Sequence, residues 1–266
     1  MKILRVMLPF TKKFRKKTFN LIFLIVFLFI SLSFYQTSNF KEIRMRYNYT
    51  LYCEDLTDSI NIFSIIDNAQ NKLRSENIIL DDKISLFFSK TEAQYYRSIF
   101  FNGKYSLAMN YLFLNRIIIS PSNLQEDRVM RQLSSFTARK LSDVIVHEVA
   151  HNYLYEKIGF FKYLSISKWK NEGFCDYISN SSSFDIPLGI KIFIGEKNDK
   201  LLQKGEFYEH IYAYFEYRLI VDYLFHFKKI NFNDFIKNKF NLPLLKAEIK
   251  KNLISGKYVF PQSNRK

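Results

Sequence analysis

The sequence is poor in the residues that punctuate or staple a chain: of 266 residues only seven are glycine, five proline, two cysteine, four histidine and one tryptophan. Two cysteines, Cys53 and Cys175, make no disulfide framework. Even in an oxidising compartment each reads more simply as a small buried thiol than as half of a bridge. There is no Pro/Gly-rich linker, no internal repeat and no low-complexity stretch, so one folded unit suffices beyond the amino terminus. No arginine-aromatic motif of a nucleic-acid module is evident, and no nucleic-acid partner is expected. The wealth of Lys, Asn, Ile, Phe and Tyr follows the pattern of an AT-rich coding sequence, so the aromatic content carries little functional weight.

Acidic residues are missing altogether before Glu42. What stands there instead is a basic tail (Lys2, Arg5, Lys12, Lys13, Arg15, Lys16 and Lys17) followed by an apolar run from Phe19 to Tyr35, broken only by Asn20 and two serines. A run of about 17 residues is the lower limit for a spanning helix. The basic cluster stays in the cytoplasm by the positive-inside tendency, which sends the chain beyond Tyr35 across the membrane. Residues 1–38 are thus predicted to be a cytoplasmic tail and transmembrane signal anchor, and residues 39–266 an extracytoplasmic domain. A cleaved signal peptide is the alternative, with Ser31-Leu32-Ser33 at the cleavage position, but the apolar run is long for that. Either reading exports the domain. The tail supplies seven of the cations behind the net charge of +15. The remainder fits apposition to anionic lipid or to a cell-wall polymer.

Two of the four histidines stand four residues apart in His147-Glu148-Val149-Ala150-His151. On a helix this spacing puts both imidazoles on one face, one turn apart, with the intervening glutamate turned toward the same space. A tetrahedral zinc ion can take both rings as ligands and leave Glu148 facing a water. The flanking residues read as one helix, from Leu141 to Ile158, with Ser142 or Asp143 as N-cap and Gly159 as the stop.

Residues 39–54, polar and aromatic, are expected to form a juxtamembrane connection. The segment from Leu56 to Leu80 is expected to be an amphipathic helix, followed by β-like runs at Ile84–Phe88, Tyr105–Leu114 and Arg116–Ser120, with a helical piece from Thr91 to Phe100 between the first two. From Asp127 onward the pattern is helical: the motif helix, a helix starting near Lys168, a long one over Glu206–Phe227, and shorter ones over Asn233–Lys239 and Leu244–Leu253. A small sheet followed by a helical half is an α+β layout.

Two histidines need a third protein ligand, and twenty-one residues after His151 comes Trp169-Lys170-Asn171-Glu172-Gly173-Phe174-Cys175-Asp176-Tyr177. Together with the HExxH run this resembles the gluzincin group of zinc peptidases, which includes the thermolysin-like and aminopeptidase-like enzymes. The resemblance spans roughly Tyr105 to Leu224 and is tight only around the two motif segments. It implies a zincin-like catalytic half and one zinc per chain held by His147, His151 and Glu172. It further implies Glu148 as general base and Asp176, one turn beyond Glu172, as the carboxylate that orients the first zinc histidine. Gly173 then serves close packing of the two metal-binding helices. The oxyanion donor implied by the aminopeptidase-like members falls on Tyr214, with Tyr212 and His210 in reserve. His226 reads as an ordinary helix histidine.

The departures narrow the reading. Where aminopeptidase-like enzymes carry a Gly-x-Met-Glu-Asn strand that grips a free amino terminus, this chain has Leu107-Ala108-Met109-Asn110, without the glycine or the glutamate. Such a strand can still pair with an extended peptide or protein substrate at the sheet edge. A membrane-anchored zinc endopeptidase is therefore expected. The rival readings are a catalytically silent binding protein with a structural zinc, and a zinc amidase acting on envelope material. Cys175 is not expected to be a nucleophile, since no histidine is placed beside it by the local sequence.

Overall fold

Alternation of buried and half-exposed residues decides the sheet. The computed structural model describes residues 37–38, 40–54, 59–99, 106–130, 139–196 and 206–261, with positions 24, 27 and 31. In β2 (Tyr49–Cys53), Tyr49, Leu51 and Cys53 are buried and the two residues between them are half exposed. β3 (Ile84–Phe88) and β5 (Arg116–Ile119) continue the same inner face with Ile84, Leu86, Phe88, Ile117 and Ile119. β1 (Lys41–Arg46) and β4 (Ala108–Tyr111) complete a five-stranded mixed sheet in the order β1-β2-β3-β5-β4. β2, β3 and β5 are parallel, and β1 and β4 are antiparallel edges.

Helix α1 (Ser59–Ser75) makes the crossover from β2 to β3, as a parallel pair requires. The outer face of the sheet holds a smaller cluster of Phe40, Phe87, Tyr95, Ile99, Tyr111 and Ile118, in which the short helix α2 (Glu92–Ser98) takes part. On the inner face lie α1 and the helical half: α3 (Leu141–Ile158), α4 (Phe160–Ser165), α5 (Lys168–Ser179), α6 (Ile186–Ile194), α7 (Glu206–Asp222), α8 (Phe232–Lys237) and α9 (Leu242–Ile254). The α+β expectation is met. The motif helix α3 is buried on nearly every side, because the sheet lies against one flank and α5 against the other.

Three expectations are corrected. The stretch expected as a juxtamembrane connection is the β1–β2 hairpin, since the alternating Tyr49, Leu51 and Cys53 bury one face against α1. Among the described residues 106–114 only Ala108–Tyr111 is strand. Leu112–Leu114 form a 3₁₀ turn that closes on Asn115 in the left-handed region. The cap of α3 is neither Ser142 nor Asp143: a two-stranded ribbon, β6 (Ser122–Asn123) and β7 (Arg128–Val129), presents Asp127, whose carboxylate accepts from Ser142 N at 2.7 Å and Ser142 Oγ at 2.6 Å. Asp143 pairs instead with Lys72 of α1. Gly159 does end the helix, at φ +76°.

No helix among the described residues is long and apolar enough to cross a membrane. The expected anchor over Phe19–Tyr35 lies outside the described residues, apart from positions 24, 27 and 31.

Candidate metal centre

Helices α3 and α5 pack side by side, and their facing positions supply the site. His147 and His151, one turn apart on α3, aim their Nε2 atoms at each other across 3.2 Å. Glu172 of α5 closes the triangle, its Oε2 lying 3.4 Å from His147 Nε2 and 3.6 Å from His151 Nε2. Ligands about 2.0–2.1 Å from a tetrahedral metal stand about 3.4 Å from one another, and these three distances match such an edge. The chemistry of the donors agrees: each atom offers a lone pair and none offers a proton to the others once the Nδ1 atoms carry theirs. This buried group can hold a metal ion.

The tautomers follow from what lies behind each ring. His147 Nδ1 is 2.8 Å from Asp176 Oδ1, and a carboxylate can only accept, so in the neutral ring the proton sits on Nδ1 and Nε2 keeps the lone pair that could bind a metal. Asp176 is itself buried and receives Arg139 Nη2 at 3.0 Å, while Arg139 Nε donates to Ser181 Oγ at 3.1 Å. His151 Nδ1 meets Asn171 Oδ1 at 2.9 Å, with the Tyr163 hydroxyl at 3.2 Å and the Cys175 thiol at 3.3 Å. One α5 segment thus orients both rings: Asn171 and Asp176 hold the histidines, and Glu172 between them offers the third donor that a metal ion could take.

Electrostatics follow the same wiring. Burial resists charge on His147, but the carboxylates of Asp176 and Glu172 outweigh it and push the imidazole up to about 10. His151 is raised against the same resistance, chiefly by Glu172. Burial pulls Glu172 and Asp176 upward, and it loses in both cases, to the two imidazoles for Glu172 and to Arg139 and His147 for Asp176, so both carboxyls sit below their ordinary range.

The triangle opens into a cleft of about 490 Å³. Glu148 lines it beside the ligands, as the helical spacing predicts, and the edge strand β4 forms one wall. Asn110 of that strand ties the wall to the motif helix, its Nδ2 donating to Glu148 O and to Asn152 Oδ1, each at 2.7 Å. From α7, Tyr214 and His210 reach the cleft together, with ring centroids 4.8 Å apart. Tyr214 stays protonated well beyond neutrality because burial and then the nearby carboxylates, Glu172 foremost, disfavour its phenolate. His210 is lowered by burial and by Lys168.

Other candidates fall elsewhere. Tyr212 packs against Phe184 and Phe215. His226 lies in the π-helical turn Tyr223–Phe227, against Asp222 and the Tyr177 ring. Gly173 faces α7 rather than α3: an added Cβ would come within 2.6 Å of Tyr217 O. Cys53 and Cys175 are both buried and not joined by a disulfide. Cys175 lies beside His151, a neighbour that the local sequence does not place. It remains a thiol all the same, because burial and the surrounding carboxylates raise its pKa far above the usual value.

Arg139, Asn171 as an orienting group, and Tyr163 were not foreseen. Arg139 and Tyr163 reach the site only through tertiary packing and leave no local pattern. Asn171 lay within the quoted run, one residue before Glu172. Comparison of the chain with protein-family models, with curated proteins and with solved structures finds no match.

Proposed function

We propose that the chain is a membrane-tethered zinc endopeptidase whose site works outside the cytoplasm. The observation that carries this reading is the convergence of His147 Nε2, His151 Nε2 and Glu172 Oε2 at the floor of a cleft that also receives Glu148. A purely structural site has no use for such a base. Zinc, when bound to these three residues, supplies Lewis acidity that lowers the pKa of a water toward about 7 and polarises the scissile carbonyl. Glu148 takes a proton from the attacking water and returns it to the leaving amine. Tyr214, held protonated, donates to the developing oxyanion, and His210 at its side is a second donor.

Two features support an internal cleavage site. Among the described residues β4 pairs with β5 alone, which leaves its other edge to an extended chain. Among the described residues the only carboxylates lining the cleft are Glu148 and Glu172, so none remains to grip a free amino terminus.

The test is turnover of a peptide drawn from a mixed library, with zinc measured on the same samples. Glu148→Gln should keep metal and fold while losing hydrolysis by about 100-fold or more, as expected of a general base. Tyr214→Phe should also keep metal and lose less than the about 100- to 1000-fold typical of a sole oxyanion donor, because His210 remains. Cleavage by Glu148→Gln at the parental rate would overturn the mechanism in favour of a structural metal.

A further inference from the structure

Helix α4 borders two cavities. Tyr163 lines the cleft over the candidate metal centre, whereas Lys162 and Ser165 line a separate groove of about 670 Å³. Trp169 and Phe240 give this groove an apolar wall, and four lysines, Lys162, Lys170, Lys237 and Lys239, stand around it. Among the described residues no carboxylate lines it, and none of the four lysines has a carboxylate partner. Other lysines do find one: Lys72 pairs with Asp143, Lys157 with Glu156, Lys228 with Glu248 and Lys246 with Glu216.

Lys170 decides the sign of the groove. Its buried Nζ donates to Phe235 O at 2.6 Å, Asn238 O at 2.8 Å and Ile236 O at 3.2 Å, so all three ammonium protons are used. The Trp169 and Phe240 rings lie 5.7 Å and 5.2 Å from the same atom. Carbonyl dipoles and ring faces hold this charge in place, yet no carboxylate cancels it, although a buried charge is ordinarily paired. Lys162, Lys237 and Lys239 are exposed and add to the same sign. An anion entering the groove therefore meets positive potential beside an apolar wall, where water screens less than in the bulk. A phosphodiester polymer would answer the charge and leave Trp169 and Phe240 uncovered. A polypeptide with carboxylates among apolar side chains answers both.

The groove lies within reach of a chain seated in the cleft. Ile158, which lines the groove, follows His151 by two turns of α3, about 10 Å along the helix, and an extended chain covers that in about three residues. We propose that the groove binds an acidic stretch of the polypeptide whose scissile bond lies in the cleft, the first acidic side chain standing about three residues from that bond. The substrate class is then a protein segment with clustered Asp or Glu beside the point of cleavage. The inference rests on the endopeptidase reading for what fills the cleft, but not for the charge of what fills the groove.

Trp169 is the only tryptophan of the chain, so its fluorescence reads the groove without reference to hydrolysis. The full chain in neutral detergent is titrated with blocked hexaglutamate, and with hexaglutamine as the uncharged comparison. Hexaglutamate should shift the Trp169 emission to saturation, with a Kd that rises with salt, and hexaglutamine should not. Lys237→Gln with Lys239→Gln should weaken binding about 10-fold. Lys251→Gln with Lys257→Gln, the same loss of charge at exposed lysines that do not line the groove, should leave it unchanged. No response of the parent chain, or equal weakening by both pairs, overturns the proposal. So does tighter binding of inorganic polyphosphate or of phosphatidylglycerol vesicles to the same lysines, which gives the groove to a polymer or a lipid. For a peptide that the parent chain cleaves, glutamates placed about three residues from the cut should lower KM about 10-fold with kcat unchanged, and Lys237→Gln with Lys239→Gln should remove that gain. A KM indifferent to those glutamates overturns the proposal and leaves the peptidase intact. A chain that binds hexaglutamate through these lysines yet cleaves no peptide fails the endopeptidase reading alone, and the acidic ligand of the groove stands.

Discussion

One oxygen atom of Asp176 serves two partners: Oδ1 takes the Nδ1 proton of His147 at 2.8 Å and the Arg139 guanidinium at 3.0 Å. The first imidazole of the candidate metal site is thus held by a carboxylate that is itself held by a buried cation. Its direction is set from two layers away.

Removing any one member of the ligand triangle should empty it. His147→Ala, His151→Ala and Glu172→Ala are each expected to retain no metal after dialysis, read by elemental analysis against protein concentration. Asp176→Asn should be milder, weakening metal affinity by about 10- to 100-fold as an outer partner of a ligand does. Full occupancy in all three alanine variants would remove the metal centre.

Arg139→Met should cost more in stability than its distance from the metal suggests. Asp176 and Arg139 are both almost fully buried, and deleting one partner leaves the other charge uncompensated, a loss of about 3–5 kcal/mol. Urea unfolding of the chelator-treated variant measures it. A change below about 1 kcal/mol would mean that water reaches Asp176 in place of the guanidinium.

The pH response of chelator-treated protein has a definite sign. His147 rises from 6.5 to about 10 on folding, so the folded state holds a proton that the unfolded chain releases. The stability from this proton is complete below about pH 6.5 and is lost as pH climbs toward 10. Metal uptake has to displace the same proton, so affinity should increase across that window. Urea midpoints and metal titrations at several pH values test both, and Asp176→Asn should flatten both slopes.

Gly173→Ala should push α5 away from α7. The new Cβ meets Tyr217 O at 2.6 Å and Val221 Cγ2 at 2.8 Å, and neither the backbone carbonyl nor the packed valine can yield. The cost is about 1–3 kcal/mol of overpacking strain. Because Glu172 is the adjacent residue, the variant should also bind metal more weakly, which a purely local strain would not cause. Thermal unfolding and metal titration on one sample separate the two effects.

The site was more legible in the sequence than the fold around it. His147, Glu148, His151, Glu172 and Asp176 sit at helical spacings on two segments, and periodicity alone brings each set onto one face. The strands at Ile84–Phe88 and Arg116–Ile119 were visible for the same kind of reason, as short β-branched and aromatic runs between turns. The β1–β2 hairpin was hidden because its outward residues are as aromatic and charged as a connection would be. Helix α6 was hidden because Pro187 and Gly189 lie within it: the proline is tolerated in the first turn, and the glycine is needed where the Phe215 ring comes within 2.7 Å of where a Cβ would be. Arg139 is legible only in three dimensions, since an isolated arginine ahead of a helix carries no pattern that points to an aspartate 37 residues later.

Asn110 makes the width of the cleft a fixed dimension. Its single amide nitrogen spans from the edge strand to the backbone of Glu148 and the side chain of Asn152, clasping wall and floor together. The two sides can part at Asn110 only by breaking both bonds at once. On the proposed reading, a strand laid against β4 would be held at one height above the imidazoles, and the register of pairing would choose which peptide bond lies over them.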